Sequence, residues 1–475
     1  MNRDATGTLA DLADIDIRNR AIVIGAGIGG LLAARVLSDH FDHVIVLDRD
    51  TLPDRPQHRR NAPQGQHVHA LLARGHAIIE RLFPGIGAEL VQAGAIDANA
   101  KGDLRWFQQG GYFRDPRRGM AFLLQSRPML EHHLRRRVIA LPNVSIFDGC
   151  RVHGLLATRD GQRVTGVRVT GYHSETTEHD LAARLTIDAS GRGSHLPSWL
   201  ADLGYEIAPQ VSAGVEARYA TRTFKRMPGQ EGVRPATVII ASPMLRRGGV
   251  MVAQEGNRWI VSLSSRDGSR PPTELSAFAD WARSLEAPDI YNVVRHSTPL
   301  DDGVTYRFPR STRWHYERME EFPSGVLPFA DAICSFNPVY AQGMSVAAIE
   351  AEQLSACLAT GADDLARRFL DGVTAPIESA WMMAAAGDLR YVDAPINLPR
   401  SARLVNAYMS RLLTAAQRDP VVAEAFHRVT NLIEPPSALR RPSIALRVAF
   451  APRHRNTAPA GVDRDSPELV SEPAG

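Results

Sequence analysis

Three cysteines in 475 residues, Cys150, Cys334 and Cys357, are too few and too scattered for a disulfide framework or a zinc site. Such usage suits a reducing compartment, and a cytoplasmic location is expected. Charge of one sign is missing as well: 55 basic and 52 acidic residues leave a formal net charge of +3, which gives no global electrostatic reason to expect nucleic acid as a partner. The most apolar stretch, residues 21–37, is interrupted by four glycines, so no integral membrane association is expected. The first eighteen residues lack the basic start and apolar core of a signal peptide and read as a flexible leader. Residues 452–475, rich in Pro, Ala and charge, read as a disordered tail. Internal repeats are absent. His67 and His69 alternate as on an extended segment, but neither His58 nor His76 completes a ligand spacing, and no metal is expected.

What is present starts with residues 21–50, which read as strand, glycine turn, helix, strand and acidic stop. The β-branched run Ala21-Ile22-Val23-Ile24 breaks at Gly25-Ala26-Gly27-Ile28-Gly29-Gly30. In this GxGxxG, Gly25 allows the tight turn, Gly27 lets backbone approach a pyrophosphate, and Gly30 lets helix and strand pack closely. The phosphate would meet free N–H groups at the helix start. A second strand over 43–47 ends at Asp48, which can accept hydrogen bonds from an adenosine ribose, with Arg49 beside it.

Further along, the polar stretch 49–66 contains Arg55, Arg59, Arg60 and a turn at 62–65, before a helix near 70–82. Ser126 and Pro128 mark a helix entry that continues to about residue 139. Arg127, at that entry, is the ligand candidate, whereas Arg135, Arg136 and Arg137 read as a solvated basic face. The strand 185–187 stops at Asp188 before a Gly/Ser turn, which repeats the logic of the first motif at the carboxyl edge of the sheet. From 211 onward, short alternating strands predict an antiparallel sheet with one covered face, forming a wall of a substrate chamber. Trp106, Phe113 and Trp259 could line it, although core packing is the better account of any one of them. Late in the chain a strand delivers Asp331, and a Pro/Gly loop from Pro338 delivers a helix N-terminus at Gly343 and Met344. Residues 364–450 read as amphipathic helix.

Three separated motifs, GAGIGG with Asp48, DASGRGS at 188–194 and ADAICSFNPVYAQGMS at 330–345, resemble the fingerprints of FAD-dependent monooxygenases related to p-hydroxybenzoate hydroxylase. The segments RRNAPQGQHVHALLARG and SFNPVYAQGMS look closest to flavin epoxidases and hydroxylases of polyether, polyketide or terpenoid tailoring. The resemblance implies an α/β fold, α+β overall: a discontinuous Rossmann-like FAD-binding domain over 19–205 and 321–360, an antiparallel substrate domain over 206–320, and a helical cap over 361–451. It implies that Gly25, Gly27, Gly30, Asp48 and Arg49 hold the ADP half of FAD, with Arg127 and the Asp188 motif nearby. Asp331 would bind the ribityl or phosphate region. Pro338 to Met344 would lie against the isoalloxazine ring, with the Gly343 and Met344 N–H groups near the pyrimidine carbonyl.

The implied activity is transfer of one oxygen atom from a flavin C4a-hydroperoxide, formed with O2, to a small apolar substrate. NADPH or NADH would be the ultimate donor, directly or through a partner flavin reductase. Alkene epoxidation in secondary metabolism is the leading expectation. The alternatives are aromatic hydroxylation, isoprenoid double-bond reduction and non-catalytic flavin binding. Gln64, His67 and His69 are the polar catalytic candidates. The chain departs from the family pattern at Ala330 and Ala341, where glycine is usual, and at His195, where aromatic hydroxylases commonly carry arginine. The halogenase signature Trp-x-Trp-x-Ile-Pro is not found.

Overall fold

The computed structural model describes residues 19–171, 178–214, 216–361, 363–389, 391 and 400–451; the expected leader and tail lie outside the described residues. Strand β1 (Arg20–Ile24), helix α1 (Ile28–Leu37) and strand β2 (His43–Leu47) form the expected βαβ unit. They sit in a five-stranded parallel sheet ordered Val326–Pro328, Leu185–Asp188, β1, β2, Val144–Phe147. Helices cover this sheet, which is why β1 is apolar and buried at nearly every position rather than alternating. α1 packs against helix Gly343–Ala359, so the first and last motifs meet although they lie at opposite ends of the domain's sequence.

The second half is a seven-stranded sheet ordered Val304–Phe308, Ala217–Lys225, Arg258–Ser265, Arg247–Gln254, Ala236–Ile239, Leu104–Gln108, Gly111–Tyr112. It therefore extends beyond 206–320, because Leu104–Gln108 joins Ala236–Ile239 in parallel. Side chains alternate along the Arg258–Ser265 strand. Trp259, Val261 and Leu263 pack with Phe278 and Ile290 of two covering helices, while Ser262 and Ser264 turn to the opposite face. Trp259 is accordingly a core residue and not a chamber wall, with its indole N–H donating to Gln230 Oε1 at 2.9 Å. Phe113 packs with Leu412 and Phe426 in the C-terminal helices, whereas Trp106 lines a cavity.

The C-terminal helices divide. Leu365–Leu389 packs on Gly343–Ala359 through Phe369, Val373 and Ile377 and belongs to the nucleotide half's core, whereas Arg400–Ala416, Pro420–Thr430 and Pro442–Phe450 form a separate cluster. The expected solvated face also needs correction at Arg135, which is buried at 5 % exposure, donates to the Pro53 carbonyl and lies 3.9 Å from Glu131. Among the described residues no helix is long and apolar enough to cross a membrane, and no group of three His, Cys, Asp or Glu converges on a metal position. All three cysteines are buried and free.

Candidate functional site: two cavities sharing a wall

At the carboxyl edge of the parallel sheet lies a cleft of about 510 Å³, lined by Gly25, Gly27, Asp48, Arg49, Arg127, Asp331, Pro338, Gly343 and Met344. Backbone crowding shapes it. Gly25 has φ +102, and a Cβ there would lie 2.6 Å from the Ala189 carbonyl oxygen. Gly30 is away from the cleft: its Cβ would meet the Gly25 carbonyl oxygen at 1.8 Å, the close helix–strand approach the motif requires. No side chain caps the start of helix Gly343–Ala359, and a Cβ on Gly343 would lie 3.5 Å from Asp331 Oδ1. A helix N-terminus with open N–H groups and an exposed carboxylate thus stand side by side.

The cleft wall also carries Ser190 Oγ, Ser335 Oγ, Asn337 Nδ2 and Gln342 Oε1, buried polar atoms with no protein partner. Buried polar groups are ordinarily satisfied. Four unpaired atoms, an uncapped helix start and a glycine-lined floor fit a long polar cofactor of the FAD kind.

Two expected ligands turn inward. Asp48 lines the cleft, but its Oδ2 accepts from Ala26 N at 2.6 Å and Arg59 Nη1 at 3.0 Å, and its Oδ1 from Asp50 N at 2.8 Å. Asp188 does not reach the cleft. It is fully buried, accepts from Ser190 N and the Ser194 hydroxyl, and fixes the Ser190 turn; burial raises its pKa against those bonds. Arg59, which sequence reasoning left among a run of arginines, is the hub beneath the cleft. Its guanidinium pairs with Glu131 at 2.7 Å, Asp48 at 3.0 Å and Asp50 at 3.6 Å.

The catalytic candidates separate. His69 faces the cleft, with Nδ1 2.9 Å from the His67 carbonyl oxygen and Nε2 3.3 Å from Arg127 Nη1. The carbonyl needs a proton donor and the guanidinium an acceptor, which assigns the Nδ1–H tautomer. Burial and then Arg127 keep this ring neutral, its pKa pushed down to about 3. His67 instead lines a second cavity of about 190 Å³, together with Val68, Leu72, Phe122, Val238 and Val250. Its Nδ1 is 2.7 Å from Thr221 Oγ1, which lies 2.6 Å from Ser262 Oγ, and burial lowers its pKa to about 4. Gln64 lines both cavities, as do Ala70, Tyr306, Pro338 and Ala341. The sequence had no local signal for Thr221, Ser262, Tyr219 or Tyr306 as site residues, since each is an ordinary strand residue until the sheet's facing is known.

The two departures from glycine fall on left-handed backbone, with Ala330 at φ +57 and Ala341 at φ +54. Ala330 N donates to Glu350 Oε2 at 2.6 Å. Burial and the nearby Asp331 raise the Glu350 pKa to about 8, against the pull of that bond.

No family model matches the chain. Among solved structures, a flavoprotein/dehydrogenase from Cytophaga hutchinsonii is similar with a TM-score of 0.64 at 13 % identity, covering 87 % of this chain and 92 % of that one. The p-nitrophenol 4-monooxygenase PnpA from Pseudomonas putida DLL-E4 gives 0.60 at 16 % identity, covering 87 % and 98 %. CmlS, a flavin-dependent halogenase, gives 0.62 at 15 % identity, covering 88 % and 77 %. At such identities the likeness is one of fold. Protein Rv3254 of Mycobacterium tuberculosis (strain ATCC 25618 / H37Rv) is 33 % identical over 430 residues, 88 % of this chain and 90 % of that protein. The chain belongs to the family of protein Rv3254, built on the fold of the flavin-dependent monooxygenases of the p-hydroxybenzoate hydroxylase-like class.

Proposed function

We propose that the chain is an FAD-dependent monooxygenase that transfers one oxygen atom from O2 to a small, largely apolar molecule. One observation carries the reading: a polar cofactor-sized cleft and an apolar cavity share a wall at Gln64, Ala70, Tyr306, Pro338 and Ala341. FAD, when bound, supplies the two-electron activation of O2. Gly25, Gly27 and Arg49 would hold its nucleotide end, with Asp48 bracing the glycine turn through Ala26 N, and Arg127 and Asp331 would hold its middle. The Gly343 and Met344 N–H groups would stabilise negative charge at its ring end. The apolar lining of the second cavity excludes water from the reacting edge. NADPH or NADH would supply the electrons, directly or through a flavin reductase.

The cavity narrows the substrate class. A dry cavity of about 150 Å³ is enough for benzene, so 190 Å³ suits one ring or a short alkene better than an extended polyene. Epoxidation needs only shape. A specific observation favours hydroxylation of a hydroxyl-bearing ring: His67, Thr221 and Ser262 form a hydrogen-bonded polar group at the apolar cavity, where His67 and Ser262 can hydrogen-bond and orient a ring hydroxyl. The fold neighbours that are halogenases bear on the fold alone, and the tryptophan signature of that activity is missing from this chain.

The test is FAD titration of the purified protein, then single turnover under ¹⁸O2 with short aryl alkenes and simple phenols. Label in an epoxide or a ring hydroxyl supports the proposal and distinguishes its two forms. A protein that takes up no FAD overturns it, and product formed without O2 makes the chain a reductase.

A further inference from the structure

Tyr340 stands in the loop that separates the two cavities, on the short turn Pro338–Tyr340 that ends in the left-handed Ala341. Its side chain lines the apolar cavity, yet its hydroxyl is drawn away from it. The hydroxyl donates to Asp388 Oδ1 at 2.6 Å, and the same oxygen is ion-paired with Arg266. The pair is deeply buried, with side-chain exposures of 5 % for Arg266 and 2 % for Asp388. Three separate pieces of chain therefore meet on one carboxylate: the end of the seven-stranded sheet at Arg266, the last turn of helix Leu365–Leu389 at Asp388, and the loop at Tyr340.

The surroundings are shaped to that meeting. A Cβ on Gly387 would lie 2.3 Å from the Tyr340 hydroxyl oxygen, so the phenol lies against bare helix backbone. A Cβ on Gly214, at φ +103, would lie 2.3 Å from Asp388 Oδ2. The Arg266 guanidinium stacks 4.4 Å from the Tyr391 ring centroid, and Tyr391 in turn donates to the Ala241 carbonyl at 2.6 Å. Burial opposes the Arg266 charge, but Tyr340, Tyr391 and Asp388 around it raise its pKa, so it remains a cation. A carboxylate this buried needs its cation and its hydroxyl donor together. Neither Arg266 nor Asp388 lines either cavity, so neither touches substrate or cofactor.

We infer that Arg266 and Asp388 are positioning residues that hold the Tyr340 ring as a specificity-determining wall of the substrate cavity and, through it, the flanking Pro338 and Ala341 that line both cavities. The inference rests on the proposed flavin site. The tether fixes the ring and, through it, the strained turn at Ala341, whose left-handed backbone persists only where neighbours over-determine it. With the ring loose, the substrate is no longer held against the reacting edge. Two electrons from the reduced cofactor and two protons then pass to O2, which leaves as H2O2 instead of splitting into one transferred oxygen atom and water.

Tyr340→Phe removes only the tether and leaves the buried ion pair intact; Asp388→Asn keeps an acceptor oxygen for Tyr340 but unpairs Arg266. FAD affinity by fluorescence quenching, the visible spectrum of bound flavin, thermal midpoint and, with the phenol or aryl alkene that wild type oxygenates present, H2O2 released per reduced cofactor oxidised are compared with wild type. Tyr340→Phe is expected to lower the thermal midpoint modestly, since Asp388 loses a donor but keeps its cation, to weaken FAD by about fivefold, to shift the flavin spectrum and to raise the H2O2 fraction. Asp388→Asn, which leaves the buried Arg266 unpaired, is expected to lower the midpoint further. If wild type binds FAD and Tyr340→Phe matches it in affinity, spectrum and H2O2 fraction, the inference fails while the proposed function stands. If wild type binds no FAD, the proposed function itself fails.

Discussion

A Cβ placed on Gly29 would lie 2.8 Å from the Cβ of Ala330, closer than two such carbons approach in folded proteins. Gly29 is in the first turn of α1, and Ala330 sits at φ +57 before Asp331. The helix thus carries glycine where the facing turn carries a methyl group, at a position where related flavoproteins usually have glycine.

Mutations at the two sites should be strongly non-additive. Gly29→Ala alone overpacks the contact and is expected to destabilise by about 1–3 kcal/mol. Ala330→Gly relieves left-handed strain but loosens the unfolded chain, so its net effect should stay within about 1 kcal/mol. In the double variant the added methyl meets space and a better helix former replaces glycine, which should recover about 1 kcal/mol. Urea unfolding of the four proteins measures the coupling; simple additivity would show that this contact does not constrain the turn.

The Arg59 hub should dominate the stability of the cleft floor. Arg59 faces Glu131, Asp48 and Asp50 with side-chain exposures of 7 to 8 % throughout. Arg59→Ala leaves three buried carboxylates without their shared cation, a loss expected to reach about 3–5 kcal/mol. Arg59→Lys keeps the charge but not the planar fork and should recover only part of it. Chemical denaturation checks both, and a loss below about 1 kcal/mol for Arg59→Ala would show that the cluster is well solvated.

Much of this organisation was legible in the sequence, and the divide has a physical cause. β1, α1 and β2 announce themselves because a buried parallel strand, a glycine turn and an apolar helix buried on nearly every side each leave a local pattern. The strand ends delivering Asp188 and Asp331 were visible for the same reason. Arg59 was not, because its three partners come from β2's end, the next residues and a distant helix. Trp259 was assignable to either face until the register of the Arg258–Ser265 strand decided it. Leu104–Gln108 gave no sign of its parallel partner in the later sheet, since pairing at long range is set by packing and not by local propensity.

Stability should peak near pH 6.5. His67 and His427 are buried and neutral, each with its pKa lowered from 6.5 to about 4, chiefly by burial. Below pH 6.5 the unfolded chain takes up protons that the fold refuses, so stability falls as pH falls toward 4, by up to about 1.4 kcal/mol per pH unit for each ring. Glu350 acts in the other direction. Its pKa is raised from 4.5 to about 8, so the folded chain keeps a proton the unfolded chain has lost, and stability declines as pH rises through that range. Together with His69, whose pKa lies at about 3, these rings outweigh the carboxyl below 6.5, and the decline due to Glu350 remains above. Glu350→Gln should flatten the alkaline limb, measured as the urea midpoint from pH 4 to 9; an unchanged limb would remove Glu350 from the account.

Filling the smaller cavity should separate cofactor binding from turnover. Val238 lines the apolar cavity and not the cleft, on a strand whose neighbours Thr237 and Ile239 are buried on the other face. Val238→Phe projects extra volume into the 190 Å³ space without touching the glycine turn, Asp331 or the Gly343 helix start. One methylene already discriminates about 10-fold or more in a fitted apolar pocket. The variant should therefore hold FAD within about twofold of wild type while kcat/KM for a ring substrate drops at least about tenfold. Equal turnover would mean that substrate binds elsewhere along the shared wall, and a parallel loss of FAD would mean that the two cavities do not act as separate compartments.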